Sequence, residues 1–456
     1  MLTDLADIKG KDYRTVVGPT SATVPFLCCL VMLASLVLSP ATQAGKTARV
    51  SVNSLGQQGK ERSYSHGNSI SYDGHLVAIV SEANNLVPGD ANRSRDVFVH
   101  DLTSGQTTRV SVDSNGNEGN GDSYTASISA DGQLVGFGSD ASNLVPDDTN
   151  GSQDAFIHDR YNGLTTRVSV SSNGKEGNGR SYGARISKDN VFVAFTSEAS
   201  NLVPGDSNGA QDVFVHNRAS GKTTRVSVDS SGAAGNADSY AASISANGRF
   251  VVFLSMATNL VPGDSNGTWD VFVHDRNTRQ TTRVSVHSNG SEGNDDSLWA
   301  GTSADGQLVA FTSFASNLVP GDTNGSLDIF LHDRATGQTK RVSIDSGGSE
   351  GNGDSWSSLP GMISPNGRFV AFQSGATNLV PGDNNGTDDI FVHDLATRQT
   401  SRASVGAATG SEGNGDSVFG AINEDGLFVV FTSTASNLVS GDTNGTWDVF
   451  VHERSP

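Results

Sequence analysis

The sequence predicts an all-β fold, a seven-bladed β-propeller of four-stranded antiparallel blades that is closed by the N-terminal strand. The first observation is a repeat, because an R-(V/A)-S-(V/I) run recurs at intervals of 60, 58, 58, 58, 58 and 61 residues. Repeats of this length are typical of stacked units that bury their faces against their neighbours. The seven runs begin at Arg49, Arg109, Arg167, Arg225, Arg283, Arg341 and Arg402.

The second observation is that each repeat contains four short segments rich in β-branched and aromatic residues. In the third copy they cover residues 181–187, 191–197, 212–216 and 223–228, with Gly, Asn, Asp and Pro between them. Such segments are typical of antiparallel strands joined by turns. Four strands repeated around an axis predict a propeller, whereas a parallel β-helix would use shorter repeats.

The two ends of the repeat array predict ring closure. The last copy stops after VFVH at residues 449–452 and lacks its own fourth segment, while a TARVSV segment at residues 47–52 precedes the first complete copy. We expect this N-terminal strand to complete the seventh blade, so that no sheet edge is left exposed.

The N-terminal segment, residues 1–44, is predicted to be a signal peptide or a signal-anchor, and residues 46–456 to be the propeller. An apolar run at residues 24–38 follows three basic residues. This pattern is typical of secretory signals, and the run is short for a transmembrane helix. The sequence therefore predicts an exported protein, periplasmic or extracellular.

Charge and cysteine content narrow the possible partners. The formal net charge is −19, which argues against binding nucleic acid or an anionic membrane through a basic patch. Both cysteines, Cys28 and Cys29, lie in the apolar run, so the exported domain would have no disulfide or thiolate metal site. We expect a monomer with a protein or carbohydrate ligand, and no membrane contact beyond a possible N-terminal anchor.

A D-x-N-G-x-x-D motif recurs in the loop between the second and third strands. Alternating oxygen side chains, a glycine for a sharp turn and a later carboxylate suit a hard cation such as Ca²⁺. The motif predicts calcium sites with these ligands: Asp148, Asn150, Asp154; Asp206, Asn208, Asp212; Asp264, Asn266, Asp270; Asp322, Asn324, Asp328; Asp383, Asn385, Asp389; Asp442, Asn444, Asp448.

A structural interpretation of the same motif stays open. Asn-Gly is a common tight-turn dipeptide, and a flanking Asp can cap backbone N–H groups without any metal. The position two before the first Asp, where calcium loops of this kind carry another Asp, is Pro in six copies and Ser440 in the seventh. In the first copy, Asp90 and Asn92 are followed by Arg93 in place of Gly, so we expect the weakest site there.

Two other repeated side chains are interpreted as structural. A histidine occupies one position of the third strand in all seven copies, and such an evenly spaced set cannot converge on one metal. We expect each to be hydrogen-bonded, because buried polar groups need partners. The fourth-strand arginine is expected to pair with the acidic turn between the third and fourth strands, as at Asp275 and Arg276.

The first strand of each repeat varies most and is expected to line the central channel. Arg185, Trp299, Trp356 and Phe419 break the symmetry of this strand, so we predict a specific ligand site around them near the channel mouth. An enzyme would need a lone pair of acids or a histidine cluster there, and Glu424 and His66 are the candidates that stand out.

The chain resembles the extracytoplasmic TolB-like (WD40-like) propellers, whose repeats carry S-(P/A)-D-G-(R/K)-x-(V/I)-A-F-x-S. Residues 245–255 and 364–374 match this signature, and degenerate forms occur in all seven copies. The resemblance implies the propeller fold over nearly the whole exported chain. TolB itself has six blades and an additional α/β domain, so a Tol role is not implied. The tandem ASNLVPGDTNG…DVFVHDR pattern is more similar to uncharacterised exported repeat proteins.

Two function classes follow. Near-identical repeats favour a non-catalytic exported binding or scaffold propeller, whereas catalysis needs unlike groups at one place. The alternative is a propeller enzyme, a polysaccharide lyase or glycoside hydrolase, with its site at the channel mouth.

Overall fold

The computed structural model describes residues 45–357, 361–407 and 410–455, without the side chains of residues 241 and 242. Within these ranges the chain forms strands and turns, and no helix is long and apolar enough to span a membrane. The predicted signal segment, with Cys28 and Cys29, lies outside the described residues and stays a prediction.

Seven four-stranded antiparallel sheets form the predicted propeller. Blades one to three contain β2 (Ser63–Tyr64), β3 (Leu76–Ser81), β4 (Asp96–Asp101), β5 (Thr107–Arg109); β6 (Ser123–Ile128), β7 (Leu134–Ser139), β8 (Asp154–Asp159), β9 (Thr165–Arg167); β10 (Ser181–Ile186), β11 (Phe192–Ser197), β12 (Asp212–Asn217), β13 (Lys222–Arg225). Blades four and five contain β14 (Ser239–Ile244), β15 (Phe250–Ser255), β16 (Asp270–Asp275), β17 (Gln280–Arg283); β18 (Ser297–Thr302), β19 (Leu308–Ser313), β20 (Asp328–Asp333), β21 (Gln338–Arg341). Blades six and seven contain β22 (Ser355–Trp356), β23 (Phe369–Ser374), β24 (Asp389–Asp394), β25 (Gln399–Arg402); β26 (Ser417–Ile422), β27 (Phe428–Ser433), β28 (Asp448–Glu453) and β1 (Lys46–Arg49).

The hydrophobic core lies between neighbouring blades. In blade four, Phe253 and Phe272 face each other across β15 and β16 with ring centroids 5.6 Å apart. They pack with Val213 and Val215 of blade three in one buried cluster. Fully burying a phenylalanine contributes about 1.5–3 kcal/mol, so these repeated pairs hold the ring together.

The N-terminal strand closes the ring, as predicted. β1 pairs antiparallel with β28, and the backbone N–H of Val50 donates to the carbonyl of Val449 at 2.8 Å. Ser51 Oγ donates to Asp448 Oδ1 at 2.5 Å, and Thr47 Oγ1 lies 2.9 Å from His452 Nδ1. The two ends of the chain therefore share one sheet.

The first strand is interrupted in two blades. β2 and β22 are two residues long, and each is followed by a separate bridge, Ile70 with Val77 and Ile363 with Val370. These are the blades whose first segments carry extra residues, which explains the repeat intervals of 60 and 61. In blade one, the inserted residues lie between the β2 segment and the Ile70 bridge.

Candidate functional site: the channel and the loop-face carboxylates

Each D-x-N-G loop forms a side-chain-capped turn. In the third blade, Asn208 Oδ1 accepts a hydrogen bond from the backbone N–H of Ala210 at 3.2 Å. Its Nδ2 donates to Asp212 Oδ2 at 2.9 Å and to the carbonyl of Gly235 at 3.0 Å. These contacts are those of the turn interpretation, and they recur with Asn92, Asn150, Asn266, Asn324, Asn385 and Asn444.

The fourth-strand arginine pairs with this loop, so its predicted pairing with the acidic turn was wrong. Arg283 Nη1 lies 3.1 Å from Asp264, 3.0 Å from Asp270 and 3.0 Å from Glu292. Asp275, in the acidic turn, instead pairs with the arginine of the hairpin between the first two strands. The cause is the register, since Arg283 lies opposite Phe272, near the loop end of β16.

Most of these clusters hold three carboxylates around one guanidinium. The second blade brings Asp148, Asp154 and Glu176 oxygens within 4.8 Å of one another, close enough to hold a metal ion. Blades three and seven lack the third carboxylate, because Ala234 and Gln58 stand where the other copies have Glu. Complete sets are Asp90, Asp96, Glu118; Asp148, Asp154, Glu176; Asp264, Asp270, Glu292; Asp322, Asp328, Glu350; Asp383, Asp389, Glu412.

Burial and like charge shift Asp148 toward protonation, whereas hydrogen bonds from Thr149 lower the pKa of Glu176. Burial raises the pKa of Asp148 to about 6, and the charges of Asp154 and Glu176 add to this, while Arg167 opposes it. One guanidinium therefore does not neutralise three carboxylates. A cation is chemically compatible with such a set, but calcium itself stays a prediction.

The side of the propeller that carries the D-x-N-G loops is called the loop face. A strained backbone position recurs at this end of the channel. Thr125, Gly183, Trp299 and Phe419 occupy equivalent places in their first strands, beside a β-bulge, with φ of 48°, 60°, 40° and 62°. A Cβ built on Gly183 would meet no atom within 4 Å, so this position faces open space. Left-handed conformations of bulky residues are costly and concentrate at functional sites.

The extra residues of blade one cross the channel. The carbonyl of Asn68 accepts from the N–H of Ile128 in blade two at 2.9 Å, and Gly361 of blade six lies so close that a Cβ on it would be 2.6 Å from Asn68 N. His66 stacks on Phe419 of blade seven, with centroids 6.4 Å apart and an interplanar angle of 11°. This segment, His66 to Asn68, forms the floor of the loop-face opening.

Arg185 reaches this floor from blade three. Its side chain is buried, with 5% exposure, and Nη1 donates to the carbonyl of Gly67 at 3.3 Å. Burial lowers the pKa of Arg185 to about 10, so the guanidinium remains charged at neutral pH. Burial, Arg185 and Arg95 lower the pKa of His66 to about 3, which keeps the imidazole neutral.

The structure brings together some of the residues predicted for the ligand site. Arg185 contacts Gly67 and Phe419 stacks on His66, so both meet the His66–Asn68 segment, an arrangement that no sequence pattern indicated because these residues belong to blades three, seven and one. Trp299 and Trp356 lie half-buried on the first strands of blades five and six. They complete the wall of the opening without forming part of the Arg185 cluster.

The opposite, turn-face end of the channel holds a pocket whose lining mixes polar and apolar side chains. Lys188 Nζ lies 3.4 Å from Glu424 and 4.6 Å from the ring centroid of Tyr72, which joins blades three, seven and one across this end. Glu424 is therefore half of a surface ion pair. A collar of residues at the ends of the first strands lies below it: Ile70, Ile128, Ile186, Ile244, Thr302, Ile363 and Ile422.

The seven third-strand histidines have the predicted structural role. His216 Nδ1 lies 2.9 Å from Thr223 Oγ1 on the neighbouring strand, and that hydroxyl also donates to the carbonyl of Val170. Burial lowers the pKa of His216, which favours the neutral ring. The equivalent residues are His100, His158, His274, His332, His393 and His452.

The chain matches no protein-family model and no curated protein. A solved oligogalacturonate lyase in complex with manganese is 11% identical, with 91% of this chain and 94% of that chain covered and a TM-score of 0.50. The β-propeller domain of the trilobed protease from Pyrococcus furiosus is 9% identical, with 87% and 98% covered and a TM-score of 0.50.

TolB from Acinetobacter baumannii is also similar, at 16% identity and a TM-score of 0.41. The match covers 73% of this chain and 63% of that TolB chain, less than two thirds of its length. At such identities the comparisons show the fold alone. The chain is a seven-bladed β-propeller, the fold that the resemblance to TolB-like propellers implies.

Proposed function

We propose that the protein is an exported, non-catalytic binding propeller whose ligand enters the channel from the loop face. The observation that carries this proposal is the set of strained positions at Thr125, Trp299 and Phe419, which lie beside β-bulges in the first strands. A fold keeps bulky residues in a left-handed conformation only where the surroundings hold them, and such strain is typical of binding sites.

The loop face is the favoured entrance because of the side chains that it presents. At the other end, the collar residues line a pocket, and Lys188 and Glu424 form an ion pair there. The loop face instead presents half-buried aromatic residues, Trp299, Trp356 and Phe419, whose rings can pack on a sugar or an apolar side chain.

A binding array of carbohydrates and peptides tests this proposal. We expect ligands bound by the wild-type protein to be lost on Trp299→Gly, a substitution that suits the left-handed backbone and so preserves the fold. Tyr161→Ala is the matched control, because Tyr161 is 73% exposed and lies in a turn outside the channel. Equal binding by wild type and Trp299→Gly would contradict a loop-face site.

We also propose that a divalent cation stabilises the loops with three carboxylates. The support is charge, since Asp148, Asp154 and Glu176 surround the single guanidinium of Arg167. Saturation at about a hundred times the dissociation constant would add roughly 2.7 kcal/mol per independent site. Thermal unfolding in calcium, in manganese and with chelator measures the effect.

Blade three provides the control for the cation proposal. It lacks the third carboxylate, so Asp206→Ala should change stability without changing the calcium response, whereas Glu176→Gln should remove one site's share of that response. A melting curve that does not move in millimolar calcium or manganese would leave only the turn role for these loops.

Export is part of the proposal and is supported by the apolar run at residues 24–38. We expect the exported protein to begin near Gly45 and to contain no thiol, because both cysteines would be removed with the signal. N-terminal sequencing and a thiol assay on each cell fraction check this. Full-length protein in the membrane fraction would instead indicate a signal-anchor.

An enzyme is the second candidate function, and one observation favours it. His66 Nδ1 is shielded from solvent and has no hydrogen-bond partner among the described residues, and it lies beside the charged Arg185. In a lyase of acidic sugars, Arg185 would neutralise the sugar carboxylate and His66 would be the base, a weak one because its pKa is lowered to about 3. Incubation with oligogalacturonate, followed by ultraviolet absorbance of an unsaturated product, tests it against His66→Ala.

A further inference from the structure

Arg185 differs from the other cationic side chains of the propeller in its surroundings. At 5% exposure it is buried, and the side chains of Arg49 and Arg341, at 7%, are nearly as buried. The fourth-strand arginines each lie against two or three carboxylates, as Arg283 does, and Arg249 pairs with Asp275. Arg185 has no carboxylate within salt-bridge distance in the described part of the chain, and its recorded hydrogen bond is to the carbonyl of Gly67.

A buried charge without a counter-charge is costly, so this arrangement requires a reason. The internal residues outside the described ranges, 358–360 and 408–409, contain no Asp or Glu. An arginine has five N–H donors, and the carbonyl of Gly67 accepts from one nitrogen. The guanidinium therefore has unused donors at the floor of the loop-face opening.

We propose that Arg185 is the anion-binding residue of the channel and that the ligand carries one carboxylate group, which takes the place of the missing counter-charge. This deepens the proposed binding function and rests on it. A planar guanidinium matches a carboxylate in shape and can donate two parallel hydrogen bonds to it.

The neighbouring groups limit the ligand to a single negative charge. His66 is neutral and so adds no second positive charge to Arg185. Carboxylates stand at the rim, where Tyr124 donates to Asp140 at 2.9 Å and Arg95 pairs with Glu82 at 3.2 Å. This rim repels polyanions but admits a small ligand with one carboxylate on an uncharged body. The half-buried aromatic residues would pack on that body.

The experiment measures melting temperature and binding heat of the full chain with sodium glucuronate, glucose and inorganic phosphate at constant ionic strength. Glucuronate and glucose share a ring and differ in the carboxylate. We expect saturable stabilisation by glucuronate, none by glucose and a weaker effect of phosphate. Arg185→Gln should weaken glucuronate binding about tenfold or more, since a charge-assisted hydrogen bond is lost.

Three variants make the result interpretable. Arg249→Gln is the control, because Arg249 is an exposed arginine that already has a carboxylate partner, and it should bind glucuronate as wild type does. Arg185→Lys keeps the charge without the planar fork and should bind with intermediate affinity. Ligand-free Arg185→Gln should melt at or above the wild-type temperature, because an uncompensated buried charge is removed.

Two results would overturn the assignment of Arg185: equal glucuronate responses in wild type and Arg185→Gln, or no response of wild type to glucuronate. Trp299→Gly separates this proposal from the proposed function. Binding that depends on Trp299 and not on Arg185 supports the loop-face site and refutes the anion role. Binding that depends on Arg185 and not on Trp299 supports the anion role and contradicts the loop-face aromatic site.

Discussion

Single residues near the channel combine backbone strain with unused polar groups. Thr125 has φ of 48°, and its hydroxyl is shielded from solvent without a hydrogen-bond partner among the described residues. Gly183 occupies the equivalent place in blade three at φ of 60°, a conformation that glycine adopts without steric cost. The same fold thus tolerates both a relaxed and a strained residue at this position.

Thr125→Gly should therefore stabilise the protein. Removing the strain of a β-branched residue in the left-handed region raises the free energy of unfolding by about 1–3 kcal/mol. The greater freedom of glycine in the unfolded chain lowers it by about 0.5–1 kcal/mol, so we expect a net increase of about 1 kcal/mol. Urea unfolding measures it. Thr125→Ala is the control, because it removes the hydroxyl and keeps the strain; a Gly variant less stable than the Ala variant would contradict the strain argument.

The loop carboxylates give individual residues an unusual pH dependence. Burial, the charge of Asp270 and that of Glu292 raise the pKa of Asp264 to about 6, against 3.8 for an ordinary aspartate. The folded state therefore binds this proton more tightly than the unfolded state. The stability that the raised pKa contributes is present below about pH 4 and is lost as the pH rises through 6.

Asp264→Asn should consequently be more stable than wild type at pH 7, and the difference should shrink toward pH 5, where wild-type Asp264 is itself protonated. Thermal unfolding of both proteins across this range measures the difference. The buried histidines also make stability depend on pH: because their pKa values are lowered, they destabilise the fold as the pH decreases. Both proteins contain these histidines, so the difference between the two proteins is free of their contribution. A difference that is constant between pH 5 and pH 7 would show that Asp264 is already ionised at pH 5.

At the scale of elements, β1 is the strand on which closure depends. It supplies the outer strand of blade seven. Arg49 and the nearby Ser51 contact Asp448, and in the other blades the equivalent arginine and serine contact the aspartate that begins the third strand. Without β1, the edge of β28 would be unpaired. Exposed strand edges promote association between chains.

Deletion of residues 46–53 should lower the free energy of unfolding by several kcal/mol, because it removes a strand, two capping side chains and the burial of Val50. It should also produce oligomers. Unfolding and analytical ultracentrifugation measure the two effects. Ser227→Ala, which removes the equivalent of Ser51 within an intact blade, is the control and should stay monomeric. A clean monomer with an unchanged melting temperature after the deletion would refute closure by β1.

At the scale of the whole molecule, the repeat alone was sufficient to predict the fold, the strand order and the closing strand. The hydrogen-bonded role of the third-strand histidines was also predicted, although the partner, Thr223 for His216, came only from the structure. The partner of Arg283 was not, because Asp275 is nearer in the chain while the register places Asp270 beside it. Sequence proximity was the wrong guide there.

The channel cluster could be predicted only in part. Arg185 and Phe419 were recognisable as departures from the repeat, but their contacts with Gly67 and His66 depend on the diameter of the ring and on the two extra residues of blade one. The left-handed backbone at Trp299 has no sequence signature, since the position carries Thr, Gly, Trp and Phe in different blades. Ring geometry, rather than residue type, creates this site.

The shared sheet of blade seven has a consequence for the time course of folding. Thr47 and His452 are 405 residues apart, whereas the equivalent pair in blade three is 7 residues apart. Contacts at long separation form late, because loop closure must precede them. We therefore expect blade seven to be the last to gain protection in pulsed hydrogen exchange during refolding, and the first to lose it when the native protein opens.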